Sequence, residues 1–250
     1  MIATIAGFES RSLLRSSQTW LIAGVTAVVF AYLFLQALET YLDIQPRLAM
    51  QDHPTGLSGF LSVRYLAPLV MVFALIAPLL AMKSFSDEYR QQTLALWQSS
   101  PVSTTALVVG KFIGVSVVIF LLIAIACFIV LFMRLYTPLD LGVLGASALG
   151  LTLASLSFAA IGMFFSSMTR HAILAVAASV MLLMLLWLLG SVTTSNALTN
   201  ALSLFAIPTH LASFFQGYVG SGDIAYFVLL MVCFVAMTIV RIDSLRQSGA

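Results

Sequence analysis

Residues 83–114 form the stretch KSFSDEYRQQTLALWQSSPVSTTALVVGKFIG. It begins directly after one long apolar run, leads into the next, and carries charges of both signs. Phe85, Tyr89 and Leu96 fall at positions i, i+4 and i+11, which places them in one stripe along a helix. The first half of the stretch therefore predicts a short amphipathic helix, and the second half returns to an apolar run.

The start of this amphipathic helix is predicted from its serines and acids. Ser84 or Ser86 is expected to cap it, because a serine hydroxyl accepts a hydrogen bond from a free backbone N–H at a helix start. Asp87 and Glu88 then fall in the first turn, where the positive end of the helix dipole favours carboxylates.

The end of the helix is predicted near residues 99–101. Pro101 disfavours helical geometry in the residue before it, so the helix is expected to stop there. Ser103 or Thr104 is expected to cap the apolar run that follows. The amphipathic helix would thus be tied rigidly to the apolar runs on both sides.

The composition of the whole chain indicates an integral membrane protein. Of its 250 residues, 61% are hydrophobic and 8% are charged, and the mean hydropathy is +1.09. A soluble domain carries roughly 25% charged residues, so this chain has too few charges to cover its own surface in water. The apolar runs are long and continuous, which favours helices over the alternating strands of a barrel.

Six membrane spans are predicted from these runs, within an all-α membrane protein that forms one transmembrane domain over residues 1–250. The spans are Trp20–Leu38, Leu66–Met82, Ala106–Met133, Leu141–Met168, Ala172–Gly190 and Ile224–Val240. Residues 1–18 predict either an interfacial helix on the cytoplasmic leaflet or a frayed polar leader. Tyr65 is expected near a membrane–water interface, at the start of its span.

The placement of basic residues predicts the orientation. With the N-terminus inside, most of them fall on the cytoplasmic side, where they are favoured, and an even number of spans leaves both termini there. The cytoplasmic set is Arg11, Arg15, Lys83, Arg90, Lys111, Arg170, Arg241 and Arg246, and the outer set is Arg47, Arg64 and Arg134. Lys111, near the start of the third span, is expected to snorkel to the interface.

Two outer segments differ in character. Residues 39–65 predict a long loop with acids and turn formers. Residues 191–223 begin polar and then turn apolar again, broken by Pro208 and by glycines. They predict a re-entrant segment, a pair of short helices dipping into the outer leaflet, in preference to a broken seventh span.

Several kinds of chemistry lack their sequence motifs. Gly110-Lys111 is followed by Phe112, and Thr105 stands where a phosphate-binding loop would have its first glycine, so no Walker A motif is present. No acid or base lies near the middle of a span, which argues against proton-driven transport. No catalytic, cofactor-binding or metal-ligating residue is assigned. Gly145, Gly150 and Gly162 instead make the fourth span a packing helix, inside the bundle or against a second copy.

A family resemblance rests on two groups of residues. The loop positions are Phe85, Glu88, Thr93, Leu94, Leu96, Ser100, Pro101, Val102, Gly110, Lys111 and Phe112, and the tail positions are Phe214, Gly217, Asp223, Tyr226 and Phe227. Together they resemble ABC-2-type transporter permeases, especially the gliding-motility (GldF-like) branch. Gln92 and Ala95 depart from the pattern, at positions where that family often has glycine and an acid.

The resemblance implies a function for the loop at residues 83–103. It would be the cytoplasmic coupling helix, moved by a separate ATP-binding cassette subunit that holds the ATP and magnesium; this chain would hold no cofactor. The implied contacts to that subunit are Phe85, Asp87, Glu88, Tyr89, Arg90, Leu96, Ser100 and Pro101. Arg170 and His171 would add weaker contacts. The outer segment would be an external gate, formed by Pro208, Phe214, Phe215 and Gly217.

The resemblance also implies partners and a location. A second copy or a related permease, with or without a periplasmic domain, would complete the membrane half, surrounded by lipid and without nucleic acid. The location would be the bacterial inner membrane, and the chain itself would not be an enzyme. Three functions stay open at this point: an ATP-driven exporter, a non-transport component that passes ATP hydrolysis to an envelope machine, and a secondary transporter. The substrate is not readable from the sequence.

Overall fold

The computed structural model describes residues 2–48, 56–90, 103–191 and 204–247, and within these ranges the regular structure is entirely helical. The helices are α1 Ile2–Arg15, α2 Ser17–Leu48, α3 Leu57–Leu61, α4 Ala67–Ala81, α5 Lys83–Arg90, α6 Thr104–Phe132, α7 Leu141–Met168, α8 Ala172–Leu188, α9 Ile207–Phe215 and α10 Ser221–Gln247. A π-helical turn, Ser62–Leu66, joins α3 to α4. Short 3-10 turns, Met133–Leu135 and Leu189–Ser191, follow α6 and α8. The prediction of an all-helical protein is confirmed for the described residues.

Five helical segments in the described ranges are long and apolar enough to cross a membrane. They are Ser17–Gln45, Leu57–Ser86, Thr104–Leu135, Leu141–Met168 and Ser221–Arg246. Helix α8 is apolar but has 17 residues, so it rises about 25 Å against a hydrocarbon core of about 30 Å. Five of the predicted spans therefore correspond to membrane-capable helices, and the span through α8 stays a prediction.

Helix α7 is the centre of the bundle. It contacts α4, α5, α6, α8, α9 and α10, and its buried residues include Ala154, Phe158 and Ala159. Two of its glycines let neighbours approach closely. A Cβ on Gly150 would lie 2.7 Å from Phe214 of α9, and one on Gly162 would lie 2.8 Å from the Cα of Pro78 in α4. The predicted packing role of this span is confirmed at these two glycines.

The predicted outer loop over residues 39–65 is wrong. Helix α2 continues to Leu48, and α3 begins at Leu57, so Arg64 lies inside a helical segment rather than in a loop. The sequence is misleading here because serines interrupt the apolar run after Leu57. Those serines are satisfied by other helices: Ser58 accepts a hydrogen bond from the backbone N–H of Asp140 at 2.7 Å.

Tyr65 is also placed differently from the prediction. It is fully buried rather than at an interface. Its ring meets Phe34 edge-on at 5.5 Å between centroids, and its hydroxyl donates to the carbonyl of Ala126 at 3.3 Å. Burial of the ring and a partner for the hydroxyl together explain why a tyrosine is stable inside the bundle.

The helix boundaries within residues 83–114 are partly as predicted. The Ser103 hydroxyl caps α6 by accepting from the N–H of Ala106 at 3.3 Å, which confirms that cap. The predicted cap of α5 by Ser84 or Ser86 is wrong. Helix α4 ends at Ala81, Met82 forms a turn, and α5 already begins at Lys83, before either serine. Both serines lie within the helix and are buried.

Candidate functional site: the α5 junction and the α9 junction

The α5 junction is the contact of Met82, Phe85 and Ser86 with Ser166 of α7. The Ser166 hydroxyl donates to the carbonyl of Met82 at 2.6 Å and accepts from the N–H groups of Phe85 and Ser86, each at 3.1 Å. The Ser86 hydroxyl donates to the Ser166 carbonyl at 3.1 Å. One serine of α7 therefore holds the break between α4 and α5.

Phe85 fixes α5 from inside the bundle. Its side chain is fully buried in the core of this chain, so it does not face a partner protein. The ammonium of Lys111 lies 5.4 Å from the centroid of its ring, within the range of a cation–π interaction. Phe85 thus joins α5 to α6 as well as to α7.

Lys111 does not snorkel, and that prediction is wrong. It is 5% exposed, and its ammonium lies 3.6 Å from the carboxylate of Glu9 in α1. A buried charge is stable when an opposite charge and hydrogen bonds accompany it. The pair places α1 against the same part of α6 that touches Phe85.

Helix α1 packs on α6 across two glycines. Cβ atoms on Gly110 and Gly114 would lie 2.8 Å from Ile5 and 2.7 Å from Glu9. The spacing Gly-x-x-x-Gly is typical of close helix contacts in membranes. The sequence carries this spacing as GKFIG at residues 110–114, so the signal for the contact with α1 was present in the sequence. The helical interpretation of the N-terminus is confirmed, and its position at a membrane surface stays a prediction.

The remaining coupling residues fall on two parts of the chain. For Asp87, Glu88, Tyr89 and Arg90 the structure describes the helical backbone of α5 alone. Leu96, Ser100 and Pro101 lie outside the described residues, as does the predicted helix end near them. Arg170, in the short connection from α7 to α8, is exposed, and His171 is the residue before α8. The helical backbone at the start of the predicted amphipathic helix is therefore confirmed, and its coupling role and its contacts stay predictions.

Ser166→Ala tests the α5 junction. The substitution leaves two buried backbone N–H groups without their acceptor, so we expect it to lower the free energy of unfolding by about 2 kcal/mol. Ser167→Ala is the matched control, because Ser167 is equally buried but its hydroxyl donates only within α7, to Phe164 at 2.6 Å. Thermal unfolding in detergent, followed by size-exclusion chromatography, measures both. Equal shifts of the midpoint for the two variants would contradict a special role for Ser166.

The α9 junction joins the predicted outer segment to α7. Phe214 is fully buried and packs against Gly150, and Phe215 is buried beside it. The Ser62 hydroxyl donates to the carbonyl of Phe215 at 2.6 Å and lies 2.6 Å from the Ser147 hydroxyl. Two buried serines from different helices thus meet the end of α9.

The other predicted gate residues bound this helix. Pro208 stands in the first turn of α9, where its missing N–H costs nothing, and it lies next to Gly190. Gly217, just after α9, has a φ of +86°, in the left-handed region that favours glycine. A nine-residue helix rises about 14 Å and does not span a membrane. The first half of the predicted re-entrant segment, residues 192–203, lies outside the described residues.

A polar cluster holds α9 to the start of α10. His210 lies 2.8 Å from the carboxylate of Asp223 through Nδ1 and 3.0 Å from the carbonyl of Leu204 through Nε2. Its ring stacks on Tyr226, with centroids 4.1 Å apart, and Asp223 also accepts from Ser213. Both ring nitrogens of His210 thus lie within hydrogen-bond distance of an oxygen atom. The sequence resemblance included Asp223 and Tyr226 but missed His210.

An apolar crevice of about 420 Å³ lies between α4 and α8, next to α9. Its lining includes Met71, Leu75, Phe158, Met184 and Ile207. Within the described ranges, no group of three or more His, Cys, Asp or Glu side chains is arranged to hold a metal ion. The property common to these sites is that each of the two short helices, α5 and α9, is held against α7 by hydrogen bonds and close packing.

Comparison with known proteins identifies a family. The model of the family described as "ABC-2 family transporter protein" matches residues 3–243, nearly the whole chain. A search of curated proteins finds no match.

Proposed function

This chain belongs to the ABC-2 transporter family, as a multi-pass membrane permease subunit that partners with an ATP-binding cassette subunit, and we propose that it works as an exporter. In this proposal, ATP hydrolysis by the partner drives movement of a substrate out of the cytoplasm or inner membrane. The chain crosses the bacterial inner membrane six times, with α8 as the fifth span and both termini in the cytoplasm. A second copy or a related permease completes the membrane half.

The α5 junction is the observation that carries the proposal. A helix that receives force must be connected firmly to the spans that it moves. Helix α5 continues from α4 after a single turn residue, Met82, and Ser166 fixes that turn to α7 through three hydrogen bonds. These contacts support α5 as the start of the coupling helix.

Helix α7 offers a direct route between the two junctions. Ser166 at one end holds α5, and Ser147 and Gly150 near the other end contact the end of α9. Ser147 and Ser166 are separated by about 28 Å along the helix axis. Rigid helices that contact two sites are a physical route for coupling between them. We propose that displacement of α5 shifts α7 and thereby loosens α9, the proposed outer gate.

Glu88→Lys combined with Tyr89→Ala tests the docking of the partner. Both positions lie on α5 beyond its buried anchor Phe85, and we expect the double variant to insert normally and to lose most ATP-driven transport. The measurement is ATPase activity and substrate flux of the complex with its ATP-binding subunit, reconstituted in vesicles. Arg134→Glu combined with Tyr136→Ala is the control, because both side chains are exposed in the connection from α6 to α7, away from α5. Normal co-purification of the partner with unchanged stimulation of its ATPase by the Glu88/Tyr89 variant would contradict the proposal.

A further inference from the structure

A groove on the outside of the bundle runs along α10 beside α7. It has a volume of about 540 Å³. Along α10 it is lined by Cys233, Met237, Val240, Arg241 and Ser244, at helical spacings that place these residues on one face. The groove is therefore apolar along most of its length, and its polar end is formed by Arg241 and Ser244.

The wall of the groove is an aromatic side chain from α7. Phe164 lines it and is held in place by Phe234, whose ring meets it edge-on at 5.6 Å between centroids. From Cys233 to Ser244 the groove rises about 16 Å along the helix. That length is about half of a hydrocarbon core of about 30 Å, the depth of one leaflet.

The polar end of the groove carries an uncompensated positive charge. Arg241 is exposed, and among the described residues no carboxylate forms an ion pair with it. Asp243, two residues on, accepts from Thr104 of α6 at 3.3 Å and lies on another side of α10. Ser244, one turn after Arg241 on the same face, is exposed and adds a hydroxyl donor.

We propose that this groove binds one phospholipid with an anionic headgroup. The phosphate lies between the Arg241 guanidinium and the Ser244 hydroxyl, and one acyl chain lies along Val240, Met237 and Cys233. A guanidinium matches a phosphate in charge and in the geometry of its donors. The proposal rests on the membrane topology of the proposed function, which places this end of α10 at the cytoplasmic leaflet.

The bound lipid would have a structural consequence. The groove lies where α7 and α10 meet, so a chain seated in it would contact both Phe164 and the face of α10. Helix α7 also carries the α5 junction a short distance away, at Ser166. An anionic lipid would thus stabilise the part of α7 to which α5 is fixed.

Native mass spectrometry of the purified full chain tests the proposal. The protein is exchanged into micelles that contain equal amounts of phosphatidylglycerol and phosphatidylcholine, and the retained lipids are counted. We expect preferential retention of one phosphatidylglycerol. Arg241→Gln should lower its retention about fivefold, the affinity that corresponds to one arginine near a membrane surface. Arg15→Gln is the control, since Arg15 is an exposed arginine on α1 that does not line the groove.

A second variant tests the apolar part separately. Ala236→Trp fills the groove, which Ala236 lines, without changing a charge, and it should lower retention of phosphatidylglycerol to a similar extent. Equal retention of both lipids by the unmodified chain would overturn the proposal. Loss of phosphatidylglycerol retention with Arg241→Gln but not with Ala236→Trp would also overturn it, because that result would indicate a diffuse surface attraction. A third contrary result is conversion of a dimer to a monomer by Ala236→Trp with lipid retention unchanged, which would identify a second copy as the occupant. None of these measurements needs ATP or the partner subunit, so they separate this proposal from the proposed export.

Discussion

Gly162→Val is expected to lower the free energy of unfolding by about 3 kcal/mol, or to prevent assembly of the bundle. A Cβ at this position would lie 2.8 Å from the Cα of Pro78 and 3.1 Å from the Cβ of Ala81. The nearest atom belongs to the backbone of α4, so it does not move aside as a flexible side chain would. Overpacking of a close-packed interior costs about 1–3 kcal/mol, and the upper end applies where the backbone itself must shift.

Gly145→Val is the matched control for this prediction. It is the same substitution in the same helix, and a Cβ at Gly145 meets nothing within 4 Å. Valine has a better intrinsic preference for a helix than glycine, so the control should be neutral or slightly stabilising. Thermal unfolding in detergent and the yield of monodisperse protein measure both variants. A Gly162→Val protein that unfolds at the same temperature as the Gly145→Val protein would show that α4 and α7 are not in close contact.

Glu9→Met is expected to lower the free energy of unfolding by about 3 kcal/mol, because it removes a carboxylate that lies 3.6 Å from the buried ammonium of Lys111. Lys111→Met should also be destabilising, because it removes the ammonium beside the Glu9 carboxylate. Its effect should be smaller than that of Glu9→Met, because Glu9 is the more exposed of the two side chains. The double variant should be more stable than Glu9→Met, since two apolar side chains in contact often replace a buried ion pair at little cost.

A double-mutant cycle measures this pair. The interaction energy is the change in unfolding free energy of the double variant minus the sum of the changes of the two single variants. We expect its magnitude to exceed about 1 kcal/mol. Arg11→Met serves as the control, because it removes an exposed charge from the same helix. Additive effects of the two single variants would show that Glu9 and Lys111 do not depend on each other.

The parts of the fold that were predictable from the sequence depend on local patterns. Long apolar runs predicted α6, α7 and α10, and the Ser103 cap follows from a serine three residues before the N–H that it accepts from. The small residues of α7 predicted a packing helix, and Gly150 and Gly162 confirm it. These features depend only on residues close together in the chain or on the absence of water from the membrane interior.

The parts that were missed depend on residues distant in the chain. Ser58 and Ser62 are residue types common in loops, which favoured the prediction of a loop. In the structure, Ser58 pairs with Asp140, and Ser62 pairs with Ser147 and Phe215. Ser86 resembled a helix cap because Ser166, its actual partner, is 80 residues away. A polar residue in an apolar chain is as stable as its partners allow, and the sequence does not show which partners it meets.

The candidate site divides in the same way. The amphipathic pattern of residues 83–96 predicted a helix at α5. The family resemblance implied that Phe85 contacts the partner, whereas its side chain is buried within this chain. Residues 191–223 predicted a pair of short helices dipping into the outer leaflet. Helix α9 is one short helix within this segment, and the re-entrant placement stays a prediction. That α7 touches both α5 and α9 is a property of the packed bundle alone.

The central place of α7 also has a consequence for the time course of synthesis. Helix α4 precedes it in the chain, so α4 enters the membrane before its main partner exists. From the end of α4 at Ala81 to the end of α7 at Met168, a ribosome adding 5–20 residues per second needs roughly 4 to 17 seconds. During that interval the surface of α4 around Pro78, which later meets Gly162, faces lipid or the insertion machinery. The buried contact between α4 and α7 therefore forms only after α7 has been synthesised, and residues of α8, α9 and α10 join the core later still.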